Sequence, residues 1–482
     1  MIRRWLLADQ LGPHFLDDPH QPVLLVEVKE LFRRRVLHRQ KAHLILSAIR
    51  HRAAELGDRA VHLRTGTFRE ALDRVGEPVE VCHPTTRDTL RFARSADAVT
   101  VLPPRGFLVA HRDFADWADR RHGALRAADF HRWALTHLGL ATGETPARPG
   151  RAGSPASARR LDLPPPPPVR EDAIDAGVRR DLDAWAAEGI RFVGRDAPRR
   201  YPATHAEAEE RLQHFLTHRL AHYGRFRHVS LAADPVLAHS LLSSSFNLGL
   251  LDPADAIRRA RQAHRTGSVP RASAEAFVRQ LLGWREFLWQ LYWYFEPGFR
   301  GTGRLAATRP VPQWFADLDA DAVGARCLAD ALAGVRDQAW APQIQRLMVL
   351  GSYGLQRGWR PAELADWFQR CFVDGTWWVM NAAVVGLSQY ADLGRVDTRA
   401  YTSDGGYLDR IGDHCGRCRY DPGQRLGDRA CPYTGGYESF LHRNRDRLVG
   451  DPGMAGPLDR LAGLGDREAV LAQEEKRLLD PP

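Results

Sequence analysis

An α/β domain of the doubly wound type, followed by a large all-helical domain, is the fold class this sequence predicts. Three observations predict it. Short apolar runs alternate with helix-spaced segments through the first 135 residues. The composition between Gly143 and Pro168 then collapses into Pro, Gly, Ala, Arg and Ser. From Ala173 onward apolar residues recur at helical intervals almost everywhere. The boundaries read as 1–135 for the α/β domain, 136–200 for the connection and 201–482 for the helical domain.

Taken in order, Arg4–Ala8 and Pro22–Val28 are short apolar runs of the buried-strand type, as are Ala60–Leu63 and Val79–Cys82. Between them, Ala42, Leu44, Ile45, Ile49 and Ala53 mark a helix over Gln40–Leu56, and Phe68–Val75 reads as another. No G-x-G-x-x-G follows the first strand, so an ordinary dinucleotide fingerprint is absent. Asp9-Gln10-Leu11-Gly12 stands there instead, at the strand end where open α/β sheets bind ligands. The basic run Phe32–Lys41 fits a solvated helix face; its place before a helix start also suits an anion. Residues 143–168 end in five prolines and read as an extended linker unable to bury a core.

In the helical part, Ala206, Leu212, Phe215 and Leu216 share one face of His205–Arg219. The run His239–Gly249 carries serines at 240, 243, 244 and 245, which weaken a helix but offer hydroxyls to phosphate oxygens or to a cap. Phe277, Leu281, Trp284, Leu288 and Leu291 define an amphipathic helix on which Arg285 and Glu286 need partners if buried. Pro342 suits the first turn of the helix carrying Ile344, Leu347, Met348 and Tyr353. The basic segment His442–Arg447 either tracks phosphates or faces water.

Six cysteines in 482 residues do not make a disulfide scaffold, and reduced thiols fit a cytoplasmic protein. Trp5-Leu6-Leu7 is broken at once by Asp9 and Gln10, so no signal peptide is read, and no apolar run approaches the ~18 residues that span a bilayer. The net charge of +9 leans towards a polyanionic partner. Cys415 and Cys418 at C-x-x-C spacing, with Cys431 across a polar loop, supply three thiolates of a four-coordinate site for zinc or an iron–sulfur cube. Cys82, Cys327 and Cys371 are all candidates for the fourth, and spacing alone does not choose.

Several stretches, read together, carry a resemblance: His239-Ser240-Leu241-Leu242-Ser243, Gly283-Trp284-Arg285-Glu286, Ile344-Gln345-Arg346-Leu347-Met348, Gly386-Leu387-Ser388-Gln389-Tyr390-Ala391-Asp392 and Cys415–Pro422. The chain resembles the bacterial iron–sulfur branch of the photolyase/cryptochrome family, which includes prokaryotic (6-4) photolyases. The resemblance implies that architecture, with FAD in the helical domain beside Ser240, Leu242, Ser243, Asn247, Trp284, Arg285, Glu286, Asp392 and Asp397. It implies a [4Fe-4S] cluster on Cys327, Cys415, Cys418 and Cys431, leaving Cys82 and Cys371 as small buried hydrophobes. A lumazine antenna beside Asp9, Gln10 and Glu27 is a further implication. So are electron transfer through Trp367 and Trp378, and a lesion pocket with Tyr401, Tyr407 and position 343.

The sequence departs from that family at telling places. Pro342-Gln343 replaces a His-His pair whose second member is the proposed proton donor, and glutamine has no proton to give near neutral pH. Met380-Asn381-Ala382-Ala383 replaces Glu-Leu-Pro-Asn, Phe368 replaces an oxidisable tyrosine, and Ser244-Ser245 replaces Pro-Tyr. The expected function is light-driven repair of UV pyrimidine photoproducts in DNA, by a monomeric lyase. The alternative is a cryptochrome-like blue-light receptor with weak or lost repair; a third reading is a zinc-containing nucleic-acid-binding protein.

Overall fold

The structure is a computed structural model describing residues 1–141, 152–295, 305–391, 396, 400–451, 453–478 and 480–482. Strands β1 (Arg3–Leu6), β2 (Val23–Val28), β4 (Ala60–Thr65), β5 (Val79–Cys82) and β6 (Val99–Leu102) form a parallel sheet ordered β4-β2-β1-β5-β6. The two-residue β3 (Leu37–His38) lies outside it. Register sets Trp5 beside Leu24 and Val26 beside Leu63, and the two-residue period then sorts the side chains. Trp5, Leu7, Leu24, Val26 and Val81 meet Ala71, Leu72 and Ala93 of helices Phe68–Val75 and Arg87–Ser95. Leu6, Val23 and Leu25 face the opposite core, with Leu44, Ala48 and Ile49 of helix Arg39–Leu56. Strand order reverses between β1 and β5, a topological switch point.

The connection is more ordered than its composition implies. Helix Ala173–Ala187 starts in a capping box between Asp172 and Asp175. Its Val178, Leu182 and Trp185, spaced by four and three, pack on Ala42 and Leu46. Strand β7 (Phe192–Val193) pairs in parallel with β3, so residues 173–193 belong to the α/β unit rather than to a free linker. The proline run is a strap: the buried Arg211 and Arg219 donate to the Pro167 and Pro164 carbonyls at 2.8 and 2.6 Å. Proline lacks an N–H but keeps its carbonyl, so extended prolines can serve buried cations as acceptors.

The two domains are clasped by the segment that sequence offered as an anion site. His38 accepts from Gln40 N through Nδ1, capping the helix, and its Nε2 bonds the Arg336 carbonyl at 3.0 Å. Gln40 donates to the Arg195 and Asp337 carbonyls, and the buried Lys41 donates to those of Gln369 and Gly375. These three side chains are therefore spent on the helical domain and leave no anion site at this helix start.

The helices of that domain are interrupted by wide π turns at Leu281–Glu286, Arg346–Gly351 and Asn381–Ser388. Such turns bulge a helix locally and often mark functional sites. These three face one cavity, unlike a fourth π turn at Phe215–Arg219.

Candidate functional site

The cavity holds about 540 Å³. The first π turn contributes Leu281, Trp284 and Arg285; the second Arg346 and Leu347; the third Ala383, Val384, Leu387 and Ser388. Opposite them the Ser-rich segment supplies Ser240, Ser243 and Asn247, and Leu241, at φ +56°, turns the backbone there. Asn247 Nδ2 donates to the Asp374 carbonyl at 2.9 Å. The Asp374 carboxylate accepts from Arg346 Nη1 at 2.8 and 3.0 Å. Burial pushes that carboxyl up, but Arg346 and Ser243 pull it below its ordinary range.

Among the described residues the lining is basic: Arg227, Arg279, Arg285 and Arg346 face one acid, Asp374. Arg285 is pushed down to about 10 by burial, opposed by Glu286, Asp252 and Asp9, and so stays charged at neutral pH. Its guanidinium donates to the Gly106 carbonyl at 2.7 Å and lies 4.2 Å from the Phe107 ring centre. His239, 9 % exposed, lines the cavity beside Trp340, and its Nε2 has no hydrogen-bond partner among the described residues. Burial and nearby Arg346 lower it to about 4, leaving it neutral.

Of the residues singled out in the sequence, Ser240, Ser243, Asn247, Trp284, Arg285, Gln343 and Tyr401 come together on this wall. Leu242 does not; at 1 % exposure it points into the core. Glu286 is also elsewhere, with its carboxylate accepting from Leu108 N and Val109 N, both at 3.0 Å, and from Gln290. The expected place of Glu286 beside FAD is thereby corrected: it holds the α/β domain's Phe107 loop, the partner a buried carboxylate needs. Asp392 and Asp397 lie outside the described residues.

Trp367 is fully buried behind Phe368, which does line the cavity. Trp378 sits behind Arg285, 5.6 Å from its guanidinium, in the seam between the domains. Tyr407 is off the wall, with its N–H donating to Asp404 and its ring near Arg410. His414 bonds Ser230 at 3.0 Å and Asp330 at 2.7 Å, and does not reach the cavity. Sequence reasoning missed Asp374, Arg227, Arg279 and His239 as wall residues. The Asp374-Gly375 turn after a helix was the only available signal for the first.

The sheet's switch point is filled by protein. Gln10 donates to the Cys82 carbonyl at 3.0 Å, Asp9 accepts from Thr85, and Leu11 N donates to the Leu248 carbonyl at 3.1 Å. A Cβ on Gly249 (φ +66°) would lie 2.5 Å from the Asp9 carbonyl, so this loop of the helical domain fits only as glycine. The space left beside Asp9 and Gln10 is about 10 Å³, a single water at most. Glu27 is 2 % exposed and its carboxylate is taken by Arg50 and His62. The residues at this spot do not fit a lumazine, and that expectation is corrected.

The four cysteines of the second site converge from distant segments. Cys327 begins helix Arg326–Gln338, Cys415 and Cys418 flank a tight turn, and Cys431 precedes helix Pro432–Arg443. Burial first, and then Cys431, Cys415 and Cys418, raise the Cys327 thiol, so all four share one electrostatic neighbourhood. The Tyr433 and Thr434 N–H groups donate to Cys431, and Arg326 N lies 3.4 Å from Cys418 Sγ. Among the described residues no three cysteine sulfurs lie within 4.8 Å of one another. Cys82 and Cys371 are fully buried; Cys82 lies beside Arg4, and burial raises the Cys371 thiol to about 12.

The fold, a doubly wound domain clasped to a helical domain with a basic cavity, is that of the photolyase/cryptochrome proteins. Its fold matches a bacterial class III photolyase from Agrobacterium tumefaciens, with TM-score 0.55, 17% identity and 98% of both chains covered. It also matches the Synechocystis sp. PCC6803 cryptochrome, with TM-score 0.59, 14% identity and 99% and 98% of the two chains covered. Residues 4–140 match the family described as deoxyribodipyrimidine photo-lyase-related protein. A (6-4) photolyase of Agrobacterium fabrum (strain C58) is 31% identical over 94% of each chain. The chain belongs to the photolyase-related family and resembles (6-4) photolyase. No described helix is long and apolar enough to cross a membrane.

Proposed function

We propose that this protein is a light-driven DNA repair lyase that binds FAD in the 540 Å³ cavity and acts on (6-4)-type pyrimidine photoproducts. The observation that carries the reading is the cavity's division of labour. Serine hydroxyls with Arg227 and Arg279 suit the phosphates of a dinucleotide, and the aromatic and aliphatic π turns suit a flat ring system. When bound, FAD supplies the absorption of blue light and the one-electron chemistry. The chain's own residues do the rest. Ser240 and Ser243 offer hydrogen bonds to phosphate, Arg227 and Arg279 offset its charge, and Arg285 stays cationic against an electron-rich ring. Damaged DNA is the proposed partner, bound by a single copy of the chain in the cytoplasm, where the cysteines stay reduced.

Cys327, Cys415, Cys418 and Cys431 are proposed to hold a [4Fe-4S] cluster. Bare zinc would draw four sulfurs to roughly 3.8 Å from one another, given Zn–S near 2.3 Å in a tetrahedron. A cube, with inorganic sulfide between the irons, would hold the cysteine sulfurs farther apart, so iron and sulfide analysis separates it from the zinc-protein reading.

Gln343 on the cavity wall favours one second reading, a blue-light receptor that keeps the flavin and has lost efficient repair. Its amide can hold a hydrogen bond but cannot pass a proton, and no carboxylate stands at Met380, also on the wall. Incubating the purified protein with (6-4)-damaged oligonucleotide under blue light separates the readings. Restored thymines support repair, and intact lesions beside a photoreduced flavin support the receptor.

A further inference from the structure

The cysteine site and the cavity are joined by an unbroken run of buried aromatic rings. Phe368, on the cavity wall, lies 5.0 Å from Trp367, ring centre to ring centre. Trp367 then meets Phe315 at 4.4 Å, and its indole N–H is held by the Phe315 carbonyl at 3.0 Å. Phe315 meets Trp359 at 4.7 Å, Trp359 meets Tyr353 at 5.6 Å, and Tyr353 meets Tyr433 at 5.6 Å. All six rings are 3 % exposed or less. Tyr433 closes the run: its backbone N–H donates to Cys431, and its ring shares an electrostatic neighbourhood with Cys327.

Resting on the flavin and cluster readings above, we infer that these rings are a relay carrying single electrons from the cysteine-held centre to the cavity. The chemistry of the rings divides the work. Indoles are the side chains here that can lose an electron and remain as cations, which makes Trp367 and Trp359 the stopping points. Phe315 bridges the two. Tyr353 is a poor stop, because the Arg357 guanidinium lies 4.8 Å from its ring centre and opposes positive charge. Tyr353 and Tyr433 are therefore crossed in one step, with the Tyr433 hydroxyl fixed on the Val349 carbonyl at 3.1 Å.

The electron count closes within one flash. Trp367 would give one electron to the photoexcited flavin in the cavity, and Trp359 would refill Trp367. Trp359 would in turn be refilled by one electron from a cluster held on the four cysteines; no bond breaks and no proton moves. Trp314, half-buried and 6.3 Å from Trp359, is a side branch towards the surface, so the centre competes with external donors at Trp359.

The test uses the complete protein, purified without oxygen and with its flavin oxidised, followed by laser-flash absorption and freeze-quenched electron paramagnetic resonance. In the wild type, the tryptophan cation signal should decay as the visible absorption of the iron–sulfur centre bleaches and a new paramagnetic signal appears. In Trp359→Phe the flash should still reduce the flavin, because Trp367 is intact, while bleaching slows by about tenfold or more. A tryptophan signal in the wild type with no change in the centre by either method overturns the relay and leaves the flavin reading standing. A flash that yields no reduced flavin removes the cavity reading, and the relay with it. Both overturning results are read from the wild type, so the inference does not depend on how well the variant folds.

Discussion

Asp374→Ala is the perturbation that probes the cavity wall most sharply. The Asp374 side chain is 6 % exposed and accepts two hydrogen bonds from Arg346, whose side chain is 18 % exposed. Removing one partner of a buried pair costs roughly 3–5 kcal/mol, because the other charge is left desolvated. Arg346 keeps the Ala341 carbonyl at 2.7 Å and the Phe372 face, so the loss belongs near the low end, about 3 kcal/mol. The Asp374 pKa is lowered in the fold, so this contribution is complete above the ordinary carboxylate range and is lost only as pH falls through the depressed value. The same residue anchors Ser243 by its carboxylate and Asn247 by its carbonyl. Full expression of the loss in binding would weaken FAD by about 150-fold at pH 7. Titrating flavin into the apo-protein by fluorescence, with unfolding midpoints in parallel, reads both quantities. A variant that unfolds like the wild type and binds FAD within twofold would refute the claim that this pair shapes a flavin site.

Other outcomes follow from the same structure. Glu27, with its pKa lowered to about 2 from 4.5 by Arg50 and His62 against the opposing effect of burial, contributes about 3 kcal/mol. Glu27→Gln should therefore be less stable than the wild type by that amount at pH 7, with the gap closing as pH falls from 4.5 towards 2; a gap independent of pH contradicts the ion pairs. Cys327→Ser should lose iron and the broad visible absorption yet retain flavin, and full iron content on chemical analysis would exclude Cys327 as a ligand. Gln343→His should raise (6-4) repair by about 10²-fold with flavin photoreduction unchanged, since a placed acid or base contributes about 10²–10⁴-fold; an unaltered rate would assign the proton to another group.

Much of the fold is written in local pattern. Four of the sheet's five strands, β1, β2, β4 and β5, and the helices Arg39–Leu56 and Phe68–Val75 sit where apolar runs and helical periods put them, while β6 is not among the runs read. The Ser-rich segment and Trp284-Arg285 likewise lead to the cavity, because residue types unfavourable in a plain helix core needed another reason to be there. What pattern does not carry is tertiary exchange between domains. His38, Gln40 and Lys41 resemble an anion site until the carbonyls of Arg336, Asp337 and Gly375 arrive to take their donors. Glu286 is drawn from the cavity by two amides nearly 180 residues away in sequence. The π turns are equally silent, since an i→i+5 bulge leaves the apolar spacing on either side almost helical. In the basic C-terminal segment, Arg443 is turned inward to the Leu355 and Gln356 carbonyls, while His442, Arg445 and Arg447 remain exposed. Charge alone could not sort one from the other three.

The central claim is that the basic cavity is a flavin site. The most direct measurement is the chromophore released from purified protein by denaturation, identified by mass and quantified against the chain. The structure predicts FAD at one per chain, with a bound-state spectrum that bleaches under blue light. Protein that carries no flavin, and whose apo-form takes up none when FAD is added, would contradict it.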